Sequence, residues 1–222
     1  MIDYILEKVE NTTRFFKFGS VAVEEIEPVS GNVDLQAIFK AVENNFPSHY
    51  FSNLKAVKIG NFADLQNKNF SALYDDGIFY ISNTQSDSQS ILNDVVHEFA
   101  HHLEKNYTDF IYEDKLIIGE FLKKRQELHF ELRSEGYWTD EYDFDELKYN
   151  EKFDNFLYKK VGQNLLRLVT SGMYIRPYSS VSLREYFATG FEAYYLGKRD
   201  QLEKISPLLF NRIEELHSYK KN

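Results

Sequence analysis

The stretch SILNDVVHEFAHHLEK, residues 90–105, decides how this chain is read. Its apolar side chains Leu92, Val95, Val96, Phe99, Ala100 and Leu103 recur at spacings of three and four, so they form one broad face of an α-helix. Within the helix stands His97-Glu98-Phe99-Ala100-His101, an HExxH pattern. Residues four apart lie one turn above each other on the same side. Two imidazoles so placed can grip one zinc ion, each at about 2.0–2.1 Å. Glu98 adjoins the first of them, where a carboxylate reaches a water in the open coordination position. Zinc lowers the pKa of such a water from 15.7 to roughly 7, and Glu98 is placed to take its proton as general base. The pattern therefore points to metal-assisted hydrolysis of a peptide bond. His102 projects elsewhere on the helix and reads as a supporting or solvent-facing residue, not a ligand. Asp94, one turn before His97, either orients an imidazole or is simply an acid favoured in a first helical turn.

Upstream of this helix, strand signals dominate. Residues 14–27 (RFFKFGSVAVEEIE) alternate, with a slip near Gly19 that predicts a strand with a bend or bulge. Residues 34–46 predict a helix capped by Asp34 and stopped by Pro47, and 54–59 (LKAVKI) a strand. In 71–82 (SALYDDGIFYIS), Asp76-Gly77 is a favoured tight-turn pair between two aromatic-rich runs, which predicts a hairpin. Asp87 and Ser88 are cap candidates for the HExxH helix. Downstream the periodicity is helical throughout: 115–133, 152–169, 183–196 closed by Gly197, and 201–217. Residues 135–154 are crowded with acids and aromatics around the single tryptophan, Trp138. Strand, helix, strands and then only helices is the order of an α+β fold. One domain is expected over 1–222: a small N-terminal twisted sheet with the HExxH helix (1–106), a helical insertion (107–170), and a C-terminal helical part (171–222).

Composition narrows the function. The chain has 222 residues, 43% of them apolar, with 19 Phe and 16 Tyr, enough for a sizeable core. A formal charge of -9 and a pI near 5.2 disfavour nucleic acid and anionic membrane surfaces as partners. There is no cysteine, which excludes disulfides and thiolate zinc sites. The opening residues lack a basic start followed by an apolar core, and no apolar run approaches the ~18 residues of a membrane span. The expectation is a cytoplasmic protein, or one exported by a route the sequence does not advertise.

A catalytic zinc site usually takes three protein ligands and a water. The extension HExxHxxGxxH fails here, because Glu104 stands at the glycine position and Tyr107 at the third histidine. A distant residue must complete the set. Glu120, nineteen residues after His101, His129, and Glu185 at the head of an otherwise apolar, small-residue helix are the candidates. Glu192, two turns beyond Glu185, is a possible rival or supporting group.

The blocks HEFAHH (97–102) and EYFATGF (185–191) resemble the zinc peptidase domain of anthrax lethal factor and its relatives, including the Pro-Pro endopeptidases. The resemblance implies a zincin-like fold of the gluzincin type, one zinc ion, and a peptide or protein substrate. It implies that Glu185 is the third ligand beside His97 and His101. It also implies that Tyr178, seven residues before Glu185, hydrogen-bonds to the developing oxyanion. In zinc peptidases of this kind the strand before the active helix is usually a sheet edge that pairs with extended substrate, which here is the hairpin 71–82. The resemblance covers about forty residues. This chain has Ala100 where the family has glycine, Thr189 where it has a second glutamate, and a longer separation between the blocks. Two other readings stand beside the zinc-dependent endopeptidase. One is a zinc-binding protein without peptidase activity. The other is a helical interaction module that uses 135–154 as its surface.

Overall fold

Phe16 and Phe18 lie on one strand and Val21 and Val23 on the next, because Gly19-Ser20 is a two-residue turn. Strands β1 (Arg14–Phe18) and β2 (Val21–Glu25) are antiparallel, with Phe18 opposite Val21 and Phe16 opposite Val23. Gly19 has φ 60°, as the first central position of such a turn requires. The slip in the alternation is thus a reversal, not the bend or bulge expected, and it puts all four side chains on one face. The computed structural model describes residues 13–219. The opening segment read for a leader, 1–12, lies outside the described residues.

Those residues form two compact units that divide between Asn106 and Tyr107. In the first, β2 is followed by helix α1 (Leu35–Asn45), β3 (Ala56–Gly60), a short helix α2 (Ala63–Lys68), β4 (Ala72–Asp75), β5 (Ile78–Ser82) and helix α3 (Ser88–Asn106). The strands make one five-stranded sheet in the order β1-β2-β3-β5-β4. β2, β3 and β5 run parallel, and an antiparallel strand flanks them on each side. Asp34 caps α1 by accepting from the Ala37 N–H at 3.0 Å, and the helix ends just before Pro47. α2 escaped the sequence reading because it is six residues long and buries only Leu65, too little for periodicity to register.

The core of this unit lies between the sheet and helices α1 and α3. Phe18, Val23, Val57, Ile59, Phe79 and Ile81 are buried from the sheet, Phe39 and Val42 from α1, and Val95, Phe99 and Leu103 from α3. Phe99 is central: its ring packs edge-on against Phe18, Phe46, Phe51 and Phe79, at centroid distances of 5.6, 4.9, 5.3 and 5.0 Å.

The second unit is helical. It comprises α4 (Thr108–Tyr112), α5 (Leu116–Ser134), α6 (Glu151–Asn155), α7 (Gln163–Val169), α8 (Leu183–Tyr195), α9 (Arg199–Ile205) and α10 (Pro207–Ser218). The segment read as an insertion, 107–170, lies in this unit together with 171–219. The helix expected over 152–169 is divided by a π-helical stretch, Phe156–Gly162. Phe156 and Val161 are both buried at a spacing of five, which suits i→i+5 bonding. The helix expected over 201–217 is two helices. Pro207 has no N–H to continue the first and starts the second instead. In the acidic aromatic segment, Trp138 is exposed but Thr139 and Phe144 are buried, so part of 135–154 belongs to the core. The architecture is mixed α+β, a small sheet followed by a helical half, as the element order predicted. No helix of the described residues is long and apolar enough to cross a membrane.

Two glycines are fixed by their surroundings. Gly77 closes the β4–β5 hairpin with φ 84° beside Asp76 at 42°, the paired positive values of a type I′ turn. A Cβ there would come within 2.8 Å of the Asn53 carbonyl oxygen. In the second unit, a Cβ on Gly190 of α8 would overlap the Leu209 side chain of α10. Gly77→Ala and Gly190→Ala are each expected to lower unfolding free energy by about 1–3 kcal/mol, measured by denaturant titration. A Gly77→Ala protein as stable as the parent would show that the hairpin turn is not held as described.

Candidate functional site

Helix α3 begins where the Asp87 carboxylate accepts the Ser90 N–H at 2.8 Å, an N-terminal cap that the sequence signalled. At about 100° per residue, His97 and His101 fall roughly 160° and 200° around the helix from Phe99. Locking Phe99 into the aromatic core therefore turns both imidazoles to the opposite side. His97 is half-buried and His101 buried. Their ring centroids are 4.6 Å apart and the rings are nearly perpendicular. Two nitrogens bound to one zinc at about 2.0–2.1 Å lie within about 3.5 Å of each other, which rings at this separation can satisfy. Neutral imidazoles are also donors of the right chemistry for zinc. Glu98, next to His97, is 5% exposed.

His102 is not solvent-facing. It is fully buried, with its ring against Tyr74, Phe79 and Phe99. Its Nε2 lies 2.9 Å from the Ser52 carbonyl, which can only accept, and its Nδ1 lies 3.3 Å from the Asn106 amide nitrogen, which can only donate. These partners fix the neutral Nε2–H tautomer, and burial holds the imidazole pKa below its ordinary value. Asp94 is half-buried one turn before His97.

In the second unit, Glu185 occupies the first turn of α8. Ser182 caps that helix by accepting the Glu185 N–H at 3.2 Å. Tyr178 sits on a short 3-10 turn, Pro177–Ser180, just before the cap. Burial raises the Tyr178 phenol well above its usual pKa, and the negative charges of Glu185 and Asp154 raise it further. The hydroxyl therefore remains a hydrogen-bond donor at neutral pH. Thr189 donates to the Glu185 carbonyl at 2.8 Å and lies 2.6 Å from the Ser179 hydroxyl. It ties α8 to the turn that carries Tyr178.

The other candidate third ligands have structural roles. Glu120 accepts the Tyr186 hydroxyl at 2.7 Å and the Leu208 and Leu209 N–H groups at 3.0 and 3.2 Å, so it caps α10. His129 stacks on Phe144 with centroids 4.2 Å apart, and its Nε2 lies 2.8 Å from the Thr139 hydroxyl. Glu192 accepts from Arg176 at 2.6 Å.

Sequence reasoning missed the groups around Tyr178. The Tyr158 ring lies 6.2 Å from it, and Tyr149 donates to Asp154 at 2.9 Å. Burial first, and then Asp154, push the phenols of Tyr149 and Tyr158 up to about 12. Asp154 and Tyr158 are spaced four apart, a signal the sequence held. Tyr149 reaches Asp154 from a loop, which no periodicity marks.

Comparison with protein-family models, with curated proteins and with solved structures finds no match. The site is therefore read from its own residues. Replacing His102 by Ala removes two hydrogen bonds and a packed ring, and is expected to cost about 2–4 kcal/mol of stability. Denaturant titration above pH 8 checks this. Unchanged stability there would mean that His102 does not anchor α3.

Proposed function

We propose that this chain is a zinc-dependent endopeptidase in which His97, His101 and Glu185 hold a single zinc ion. The observation that carries the reading is the pair of imidazoles on α3, one turn apart with ring centroids 4.6 Å apart and Glu98 beside them. The structural duties of Glu120, His129 and Glu192 favour Glu185 as third ligand. On this reading the architecture is zincin-like, of the gluzincin type found in lethal factor and the Pro-Pro endopeptidases.

A zinc ion held there supplies a Lewis acid and makes a bound water acidic near neutral pH. The protein's own groups do the rest. The Glu98 carboxylate accepts a proton as water adds to the carbonyl carbon of the scissile peptide. It returns that proton to the amide nitrogen as the C–N bond breaks, and the second water proton passes to the new amine, leaving a carboxylate and an ammonium. The Tyr178 hydroxyl donates to the carbonyl oxygen as negative charge builds there, an interaction that strengthens in the transition state. Strand β4, at the edge of the sheet, offers main-chain groups to an extended peptide.

The test combines metal quantitation of the purified protein with cleavage of a diverse peptide mixture. The wild type is expected to hold about one zinc and to cleave. Glu98→Ala is expected to keep the zinc and lose at least about 100-fold in rate. Glu185→Gln should weaken zinc binding at least about 10-fold. Glu120→Gln should lower stability and keep the zinc. Full zinc in Glu185→Gln with loss in Glu120→Gln would reassign the ligand. A zinc-loaded wild type that cleaves nothing would leave a zinc-binding protein and no peptidase.

A further inference from the structure

Arg125 on α5 is the largest fully buried side chain among the described residues, 1% exposed. Its two hydrogen bonds go to main-chain carbonyls: Nη1 donates to Ser180 at 2.7 Å and Nη2 to Asp143 at 2.9 Å. The guanidinium carbon lies 3.9 Å from the centre of the Phe153 ring, with Phe121 and Phe144 at 5.5 and 5.6 Å. Burial brings its pKa down to about 10, so it is a cation at neutral pH. A buried charge is an expensive way to gain stability, since a well-packed apolar side chain often serves as well. What the guanidinium holds gives a better reason for it.

Ser180 lies two residues after Tyr178 and two before Ser182, the cap of the helix that carries Glu185. The other carbonyl, Asp143, belongs to the segment whose Leu147 carbonyl accepts the Leu183 N–H at 2.8 Å. One planar fork thus grips both chain segments that meet at the start of α8. Lysine, a single point charge, has no such fork. The neighbouring Lys124 makes a second clamp, donating to the Met173 carbonyl at 2.6 Å and to that of Ile205.

We propose that Arg125 is a positioning residue that sets the Tyr178 turn and the first turn of α8, and so the orientation of Tyr178 and Glu185. Its consequences for zinc and rate rest on the peptidase reading given above. The placement of the turn does not.

The test compares Arg125→Met, Arg125→Lys and, as control, Ile117→Ala, which removes a fully buried side chain from the same helix about two turns away, outside the cluster that Tyr178 packs against. Amide hydrogen exchange over 178–186 is measured in metal-free protein, then zinc affinity, kcat and KM. Arg125→Met is expected to exchange at least about 10-fold faster over 178–186 and to bind zinc about 10–100-fold more weakly. It should lose kcat by a similar factor with KM within about 3-fold, and Arg125→Lys should fall between. Ile117→Ala should lower stability with zinc affinity and kcat unchanged. The proposal is overturned if Ile117→Ala reproduces the pattern, or if Arg125→Met leaves exchange over 178–186 as in the wild type. If Arg125→Met does not fold, Arg125→Lys decides by the same measures. A wild type that binds no zinc would end the peptidase reading, while exchange would still decide the role of Arg125.

Discussion

The roll of one helix about its own axis underlies the candidate site. Phe99 is enclosed by four aromatic rings, and His102 is pinned to the Ser52 carbonyl. Three residues apart on α3, these two side chains leave the helix no freedom to rotate without breaking up a close-packed aromatic core. Because helical geometry is rigid, the directions of His97, Glu98 and His101 follow. Residues inside and next to the HExxH pattern that the proposed chemistry does not use decide where His97, Glu98 and His101 point.

A comparable economy governs the second unit. The start of α8 is fixed by an embedded cation, by the Ser182 cap, and by the hydroxyl contacts that join Thr189 to Ser179. All of these act on main chain or on short side chains, which hold angles more tightly than long flexible ones. Around Tyr178 the environment is apolar and negatively charged, and both features keep its hydroxyl protonated. That is the condition a hydrogen-bond donor to developing negative charge must meet.

Much of this was legible in the residue order. The α3 helix, its Asp87 cap, the Asp76-Gly77 hairpin and the capped helix at Asp34 each rest on local rules, and local rules act wherever their residues stand. The errors have a common cause in interactions beyond the window of a pattern. Gly19 read as a bulge because a two-residue reversal and a slipped strand leave the same trace in alternation. His102 reads as either supporting or solvent-facing because its partners, Ser52 and Tyr74, lie far away in sequence. Glu120 and His129 remained candidates because nothing local shows that one caps a helix about ninety residues later or that the other stacks on Phe144. No local pattern marks Arg125. Its burial depends on carbonyls from two distant segments.

The central claim concerns where a metal sits. Crystals grown with zinc, with diffraction recorded on both sides of the zinc absorption edge, locate the ion directly from its anomalous signal. The account predicts one strong peak about 2.0–2.1 Å from a ring nitrogen of each of His97 and His101 and from a carboxylate oxygen of Glu185. A peak elsewhere, or well-ordered imidazoles with no peak between them at saturating zinc, would contradict it.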